Sequence, residues 1–356
     1  MVRRVAAGIA RTSSFPTAVR AVFGYYAKTG EFDVGSLRLK RRADSTVAEL
    51  IDDAFADVEE AIAEEFGYGY VSFDYDTKLV LPAKLTLGYL YRNSDENSLD
   101  RATEMTQLAV EALLDGDMRD AINDEEYDDF VVDFETTAGD RAVIAEIAQE
   151  VLQARVEEQF TNYPDAVREH YDWAVEISEA HQDEDEEFRS LMGGARAGDD
   201  DALSAIESRY KHGRFETRPE LFTDAELALP YVKTQYDRVG IIYDAMIDMY
   251  RTVGFDIPDS FQRSIVLAII GAQIWLDDMD DVDTDFADGQ LTPVTAEYLL
   301  ADSAHDARSA IVEASEAYLD RARMQATVAD SALTGIAIEY IHRDGNPEQL
   351  PTTVPE

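Results

Sequence analysis

Residues 264–293 read SIVLAIIGAQIWLDDMDDVDTDFADGQLTP. The first half is apolar on every side, which predicts a helix buried in the middle of a helical bundle. The second half is an acidic cluster that continues from this helix. Oxygen-bearing side chains recur there every four residues and would share one face of a continuous helix, with Asp278 beside them: Gln273, Asp277, Asp281 and Asp285. Because like charges at this spacing repel, we expect the row to need a cation.

Most of the remaining chain also has helical periodicity, so the predicted fold class is all-α. Two helices begin after good N-cap residues, at Asp44 and at Asp140. Strand-like patterns are limited to residues 68–76 and Phe130–Val132. Further helical patterns cover residues 98–122, 164–181, 224–253, 259–285, 303–324 and 326–341.

The chain is predicted to have three segments: a basic N-terminal arm or helix pair (1–42), a helical bundle (43–345) and a flexible, proline-containing tail (346–356). The first segment has nine basic and two acidic residues, a charge of +7 (9 − 2). It could contact an anionic membrane surface, or it could pack on the acidic body, which is the interpretation we favour. Within the bundle, residues 193–201 predict a Gly/Asp loop, and the acidic run 183–187 predicts a solvated stretch.

The composition excludes several classes of protein. With 74 acidic and 31 basic residues the net charge is −43, which excludes an ordinary nucleic-acid binder. Cysteine is absent, so disulfides, zinc-thiolate sites and thiol nucleophiles are excluded, and the five histidines lack zinc-ligand spacing. An acidic surface with six lysines is typical of a halophilic protein, since concentrated salt screens the repulsion. The longest apolar run, 265–276, is too short to cross a bilayer, and we expect a cytoplasmic protein.

A carboxylate row at the mouth of an apolar bundle suits a metal-bound diphosphate. Residues 273–281 (QIWLDDMDD) resemble the second aspartate-rich motif of trans-polyprenyl diphosphate synthases, with one extra residue between Gln273 and Asp277. Residues 288–293 resemble the segment that follows that motif, and the Asp281–Asp285 spacing is similar to that of squalene and phytoene synthases. A Lys-Thr pair also stands in these synthases at about the interval found here, where Lys233 precedes Asp277 by 44 residues (277 − 233).

The resemblance implies a class I isoprenoid-synthase fold, a helical bundle around a central apolar cavity. It implies a Mg²⁺-dependent prenyltransferase or synthase that acts on an allylic diphosphate, and a homodimer. By the same resemblance the catalytic residues would be Lys233, Thr234 and Gln273, with Lys233 and Arg141 contacting the diphosphate. One wall would hold the metal through Asp277, Asp278, Asp281 and Asp285. The facing wall would hold it through Asp128, Asp129 and Asp133, with 117–120 (DMRD) as a second candidate.

Other interpretations of the acidic cluster remain open. In so acidic a chain it could be hydrated surface, and the protein a non-catalytic helical scaffold or binding protein of a halophile that retains the fold. The spacing of Asp281, Asp283 and Asp285 is also found in calcium loops, but Phe286 and Thr292 stand where such a loop needs Gly and Glu. Membrane contact through residues 1–42 would be compatible with the enzyme, since its substrates would be amphiphiles.

Overall fold

The computed structural model describes Ala6, Ala10, residues 16–30 and 34–123, Glu125, Tyr127 and residues 129–354, except for the side chains of Val34 and Asp183. It is 77% helix and 2% strand, which confirms the all-α prediction. None of the described helices combines the length and apolarity needed to cross a membrane.

The helices and strands follow one another along the chain with few long connections. The longer helices of the N-terminal half are α1 (Thr17–Thr29), α2 (Val34–Phe66), α3 (Leu81–Asn93), α4 (Leu99–Asn123), α5 (Ala138–Phe160) and α6 (Asp165–Arg196). They are followed by α7 (Asp200–Ala205), α8 (Asp224–Leu227), α9 (Val232–Gln235), α10 (Ile241–Thr252), α11 (Asp259–Ala272) and α12 (Asp278–Asp280). The last four are α13 (Val282–Asp288), α14 (Pro293–Leu300), α15 (Ala304–Val328) and α16 (Ala332–Asp344). The strands are β1 (Phe73–Tyr75) and β2 (Phe130–Val132).

Among the described residues, three segments form π-helical turns, in which the backbone contains one residue more than an α-helix would need. They are Ile206–Lys211, Tyr236–Gly240 and Gln273–Asp277. Short 3₁₀ turns also occur at Lys78–Val80 and Glu96–Ser98.

The chain divides into two compact units. Unit 1 contains the described residues of Met1–Asp33, Tyr171–Ile247 and Ile257–Glu356, and unit 2 contains those of Val34–His170 and Asp248–Asp256. The predicted boundary between residues 42 and 43 falls inside α2, which runs through it without a break.

Unit 2 is built from α2–α5 and a small antiparallel sheet. Strand β1 pairs with β2 so that Phe73 lies opposite Val132 and Tyr75 opposite Phe130. Both strands lie where strand-like patterns were predicted. Helix α5 begins at a capping box in which Thr137 and Asp140 satisfy each other's backbone N–H groups.

Unit 1 is organised around α11. Ile265, Val266 and Ile270 are at most 1% exposed, which confirms the prediction of a helix buried at the centre of a bundle. Helix α11 packs closely on α15 at Gly271, where an added Cβ would lie 2.9 Å from Leu319 Cδ2. Glycine is therefore the residue that permits this approach.

The continuous helix predicted over residues 224–253 is broken in the structure. Helices α8 and α9 are short and separate, Tyr231 has a left-handed backbone (φ 64°), and the π turn at Tyr236–Gly240 precedes α10. The predicted 193–201 loop is also shorter, because α6 continues to Arg196. Gly193 and Gly194 are thus helical, and only residues 197–199 connect α6 to α7.

The segment predicted to be a flexible tail packs within unit 1 as far as Pro351, and residues 352–354 are exposed. Leu350 is 1% exposed, Tyr298 Oη donates a hydrogen bond to the carbonyl of Pro351 (2.7 Å), and Arg308 Nη2 donates one to the carbonyl of Pro347 (2.9 Å). Burial of one leucine and bonding of two carbonyls explain why this stretch is ordered despite its prolines.

Helix α1 packs on α16 within unit 1. Lys28 Nζ lies 2.8 Å from Glu339 Oε2, and a Cβ at Gly335 would lie 2.4 Å from the ring of Tyr25. Residues 1–42 were predicted either to contact a membrane or to pack on the rest of the protein. Helix α1 packs on the rest of the protein, and residues 34–42 form the start of α2. Membrane contact by this segment stays a prediction.

Candidate functional site

The acidic half of 264–293 is not one helix, which corrects the helix predicted over 259–285. Helix α11 ends at Ala272, the π turn Gln273–Asp277 follows, and the short α12 ends before Asp281, whose φ of −96° and ψ of 5° break the helix. An extra residue in a helical turn rotates the residues after it. The residue that lengthens the motif between Gln273 and Asp277 lies in this π turn.

After this change of direction, two of the four carboxylates of this stretch that were predicted to bind metal are buried and two are exposed. Asp278 and Asp285 are buried, at 2% and 8% exposure, whereas Asp277 and Asp281 are exposed. Gln273, at the start of the π turn, is half-buried. The prediction that Gln273, Asp277, Asp281 and Asp285 lie on one face of one helix is therefore wrong. Asp278, which is not part of that row, is more buried than any carboxylate in it.

Asp278 faces Arg238 on the π turn before α10. Arg238 Nη1 lies 3.3 Å from Asp278 Oδ1, while Asp278 Oδ2 is buried without a hydrogen-bond partner among the described residues. Burial raises the pKa of Asp278 to about 7, although the positive charge of Arg238 lowers it. The site therefore holds a carboxyl that titrates near neutral pH and has one free oxygen.

Asp285 is the second buried carboxyl of the stretch. Thr292 Oγ1 donates a hydrogen bond to its Oδ2 at 3.2 Å. Burial raises the pKa of Asp285 to about 6, while Thr292 and the charge of Arg238 lower it. Arg238 thus acts electrostatically on both buried carboxyls.

The predicted Lys233–Thr234 pair lies on α9, and its two side chains have different environments. Lys233 Nζ lies 2.8 Å from Asp237 Oδ2 and 3.9 Å from Glu184 Oε2, and its side chain is 23% exposed. Thr234 is 1% exposed, and its hydroxyl donates to the backbone carbonyls of Tyr210 and Tyr231. The Lys233 ammonium is therefore ion-paired and partly exposed, whereas the Thr234 hydroxyl is bonded to the backbone.

Helix α6 contributes residues to the site that sequence reasoning missed. Burial lowers the pKa of His181 to about 4, and the charges of Arg238 and Lys233 lower it further. Burial lowers the pKa of Arg238, but the charge of Asp278 and, to a smaller extent, that of Asp185 raise it above its usual value. Glu184 and Asp185 are half-buried, so this part of 183–187 is not a fully solvated stretch. The missed signal is His181 and Phe188, seven residues apart on the apolar face of α6.

The carboxylates predicted for the facing wall belong to unit 2, whereas Asp278 belongs to unit 1. Asp128 lies outside the described residues. The backbone carbonyl of Asp129 accepts a hydrogen bond from the N–H of Asp76 (3.1 Å), and Asp133 Oδ1 accepts one from the N–H of Ser72 (3.0 Å). Both bonds join the chain next to β1 to the chain next to β2, but only that of Asp133 uses the predicted carboxylate, since Asp129 is bonded through its backbone.

Arg141, predicted to bind diphosphate, also supports the strands of unit 2. Its Nη2 donates to the backbone carbonyls of Tyr127 and Phe130, and its guanidinium lies 4.3 Å from the centre of the Phe130 ring. The second candidate, 117–120, is in unit 2 as well, where Asp117 accepts a hydrogen bond from Tyr75 Oη.

Whether the site could bind a metal ion depends on the carboxylate oxygen of Asp278 that has no hydrogen-bond partner among the described residues. Over the described part of the chain, no three histidine, aspartate or glutamate side chains are grouped closely enough to hold a metal ion by themselves. Mg²⁺ does not require such a cage, because it commonly binds one or two carboxylates together with water and substrate phosphates. Asp278, with Asp285 nearby, fits that type of site.

Comparison with known proteins yields no relative: no family model, no curated protein and no solved structure matches the chain. The chemistry of the site must therefore be argued from its own side chains.

Proposed function

We propose that unit 1 is a Mg²⁺-dependent enzyme of the prenyltransferase or isoprenoid-synthase type that acts on an allylic diphosphate. The observation that carries the proposal is the buried Asp278, which has one oxygen paired with Arg238 and the other free. A buried carboxyl oxygen without a partner is costly, and a cation would satisfy it. The resemblance of residues 273–293 to the synthase motif supports the same assignment.

The charges of the site suit a diphosphate bound through a metal. Asp278 and Asp285 would hold Mg²⁺, with Asp277 and Asp281 at the exposed side, and the bound ion would neutralise negative charge on the leaving diphosphate. Arg238 places a positive charge beside Asp278, and both Arg238 and Lys233 are close enough to His181 to lower its pKa. These two charges would stabilise the leaving diphosphate as the carbon–oxygen bond breaks. The deprotonated Asp278 is the form that binds a cation, so binding should strengthen as the pH rises through about 7.

The alternative is a helical scaffold without catalysis. It is favoured by the ion pairs within the site, since Lys233 is bonded to Asp237 and Arg238 to Asp278. In a scaffold these pairs would be complete, and Mg²⁺ would change diphosphate affinity little.

The test is an assay of the purified full chain in concentrated KCl with Mg²⁺, labelled isopentenyl diphosphate and a panel of allylic diphosphates. Released pyrophosphate and extracted lipid are measured. We expect turnover that EDTA abolishes and that Asp278→Asn reduces by at least about a hundredfold, as loss of a group that stabilises transition-state charge does.

The matched control is Asp283→Asn, the same change at an exposed residue of α13 outside the predicted ligand set. It should turn over like the unmodified protein. Absence of pyrophosphate release from every substrate, or full activity in Asp278→Asn, would contradict the proposal. The homodimer that the resemblance implies is tested in the same samples by sedimentation.

A further inference from the structure

Unit 2 contains a cavity that the proposed function does not use. Its volume is about 390 Å³, and it is lined from α2, from β1 and from α3. Pockets of this size are typical of small-molecule sites. The apolar part of the lining includes Phe55 and Phe73, whose rings meet edge to face with centroids 5.3 Å apart.

The side chain that distinguishes this cavity is Lys84. The other five lysines of the chain are each ion-paired with a carboxylate: Lys28 with Glu339, Lys40 with Asp44, Lys78 with Asp76, Lys211 with Glu297 and Lys233 with Asp237. Lys84 is half-buried in the lining, and across the described residues no carboxylate oxygen lies within 4.0 Å of its Nζ. In a chain with 74 acidic residues, such an ammonium is an unused site for an anion.

Carboxylates line the same cavity without reaching that ammonium. Asp52 and Asp74 are exposed and have no hydrogen-bond or ion-pair partner in the described parts of the chain. Glu59 is partly occupied, because its Oε1 accepts a hydrogen bond from the N–H of Phe73 at 2.9 Å. The cavity therefore presents a separated positive and negative charge around an apolar surface.

We infer that this cavity binds a small zwitterion with an apolar side chain, of the size of an aromatic or branched-chain amino acid. Its carboxylate would pair with Lys84 and its ammonium with Asp52 or Asp74, while its side chain would pack on Phe55 and Phe73. A simple anion would meet the repulsion of the carboxylates, and a simple cation would meet that of Lys84. A ligand with both charges satisfies each of them.

The experiment is titration calorimetry of the full chain in concentrated KCl with L-phenylalanine and L-leucine. Two derivatives separate the charges, N-acetyl-L-phenylalanine as the anion and L-phenylalaninamide as the cation. We expect saturable binding of at least one amino acid, and binding of both derivatives weaker by at least about tenfold, or 1.4 kcal/mol. Lys84→Met, which keeps the apolar stem, should weaken binding of the amino acid by a similar factor.

The matched control is Lys78→Met, which removes an exposed lysine already paired with Asp76 and should leave affinity unchanged. If Lys84→Met does not fold, the double variant Asp52→Asn with Asp74→Asn replaces it, and should weaken L-phenylalanine but not its N-acetyl derivative. The inference is overturned if neither amino acid binds saturably, if N-acetyl-L-phenylalanine binds as tightly as L-phenylalanine, or if Lys84→Met binds like the unmodified chain. Because the cavity lies within unit 2, this outcome is independent of the pyrophosphate assay.

Discussion

Replacing Asp278 by Asn should change how the stability of unit 1 depends on pH. Burial raises the pKa of this carboxyl from 3.8 in the unfolded chain to about 7 in the folded one. The difference of about three units corresponds to about 4 kcal/mol of free energy of unfolding. That energy is the cost of ionising Asp278 in place when no metal is bound.

The direction of the effect follows from proton linkage. A carboxyl with a raised folded pKa binds its proton more tightly in the folded chain, so its stabilising contribution is fully present below about pH 4 and is lost as the pH rises to about 7. Asn is neutral at every pH and lacks this loss. The free energy of unfolding of Asp278→Asn, minus that of the unmodified protein, should therefore increase by about 4 kcal/mol between about pH 4 and about pH 8.

The assay is urea unfolding in KCl and EDTA at a series of pH values, followed by tryptophan fluorescence. The two tryptophans of the chain, Trp173 and Trp275, both belong to unit 1, so the signal reports the unit that contains Asp278. Asp283→Asn is the control for removing one charge at the surface, and its difference from the unmodified protein should stay nearly constant with pH. A flat difference for Asp278→Asn as well would refute the reasoning, because Asp278 would then ionise as it does in water.

Two further predictions concern the packing of unit 1 and use the same assay. Glu339→Gln should cost about 3 to 5 kcal/mol, because Glu339 is fully buried and removal of its charge leaves Lys28 and Arg343 without their carboxylate partner, while Arg323 keeps Asp320. Burial raises the pKa of Glu339, but the basic side chains together lower it by more, so the net shift is downward. The stabilisation by Glu339 is therefore present above the unfolded pKa and decreases as the pH falls. The exposed control Glu348→Gln should change the free energy of unfolding little. Gly335→Ala should lower the free energy of unfolding by about 1 to 3 kcal/mol, because the new Cβ would lie 2.4 Å from Tyr25 Cε2. An equal loss in the control variant, described next, would count against this reason. The control is Gly193→Ala in α6, where no atom lies within 4 Å of the new Cβ and alanine should stabilise the helix by about 0.5 to 1 kcal/mol.

Periodicity predicted the fold class and the central helix because both depend on where apolar residues recur. Periodicity did not predict the π turns, since one extra residue in a single turn hardly changes how apolar residues recur along the helix. The π turn Gln273–Asp277 lies directly before Asp278. After this turn Asp278 is buried and Asp277 is exposed, which a uniform helical spacing does not predict.

The contribution of α6 was missed for a different reason. Residues 183–187 are a run of like charges, which is usually a solvated surface. Whether Asp185 faces solvent or Arg238 depends on how α6 packs against the π turn at Tyr236–Gly240, a contact between segments far apart in the chain. The lower pKa of His181 has the same origin, because it reflects burial next to Lys233 and Arg238.

In a chain with 74 acidic residues, the position of one more aspartate carries little information, because acidic residues are frequent along the whole sequence. Lysines are rare here, so each lysine position is more informative. Two of them lie against carboxylates that are nearly or fully buried, Lys28 at Glu339 and Lys211 at Glu297, and Lys233 lies against the half-buried Asp237. The pairing of these lysines with carboxylates explains how the charges are tolerated in the interior. Lys84 has no such explanation within unit 2, and a ligand that supplies the missing negative charge would provide one.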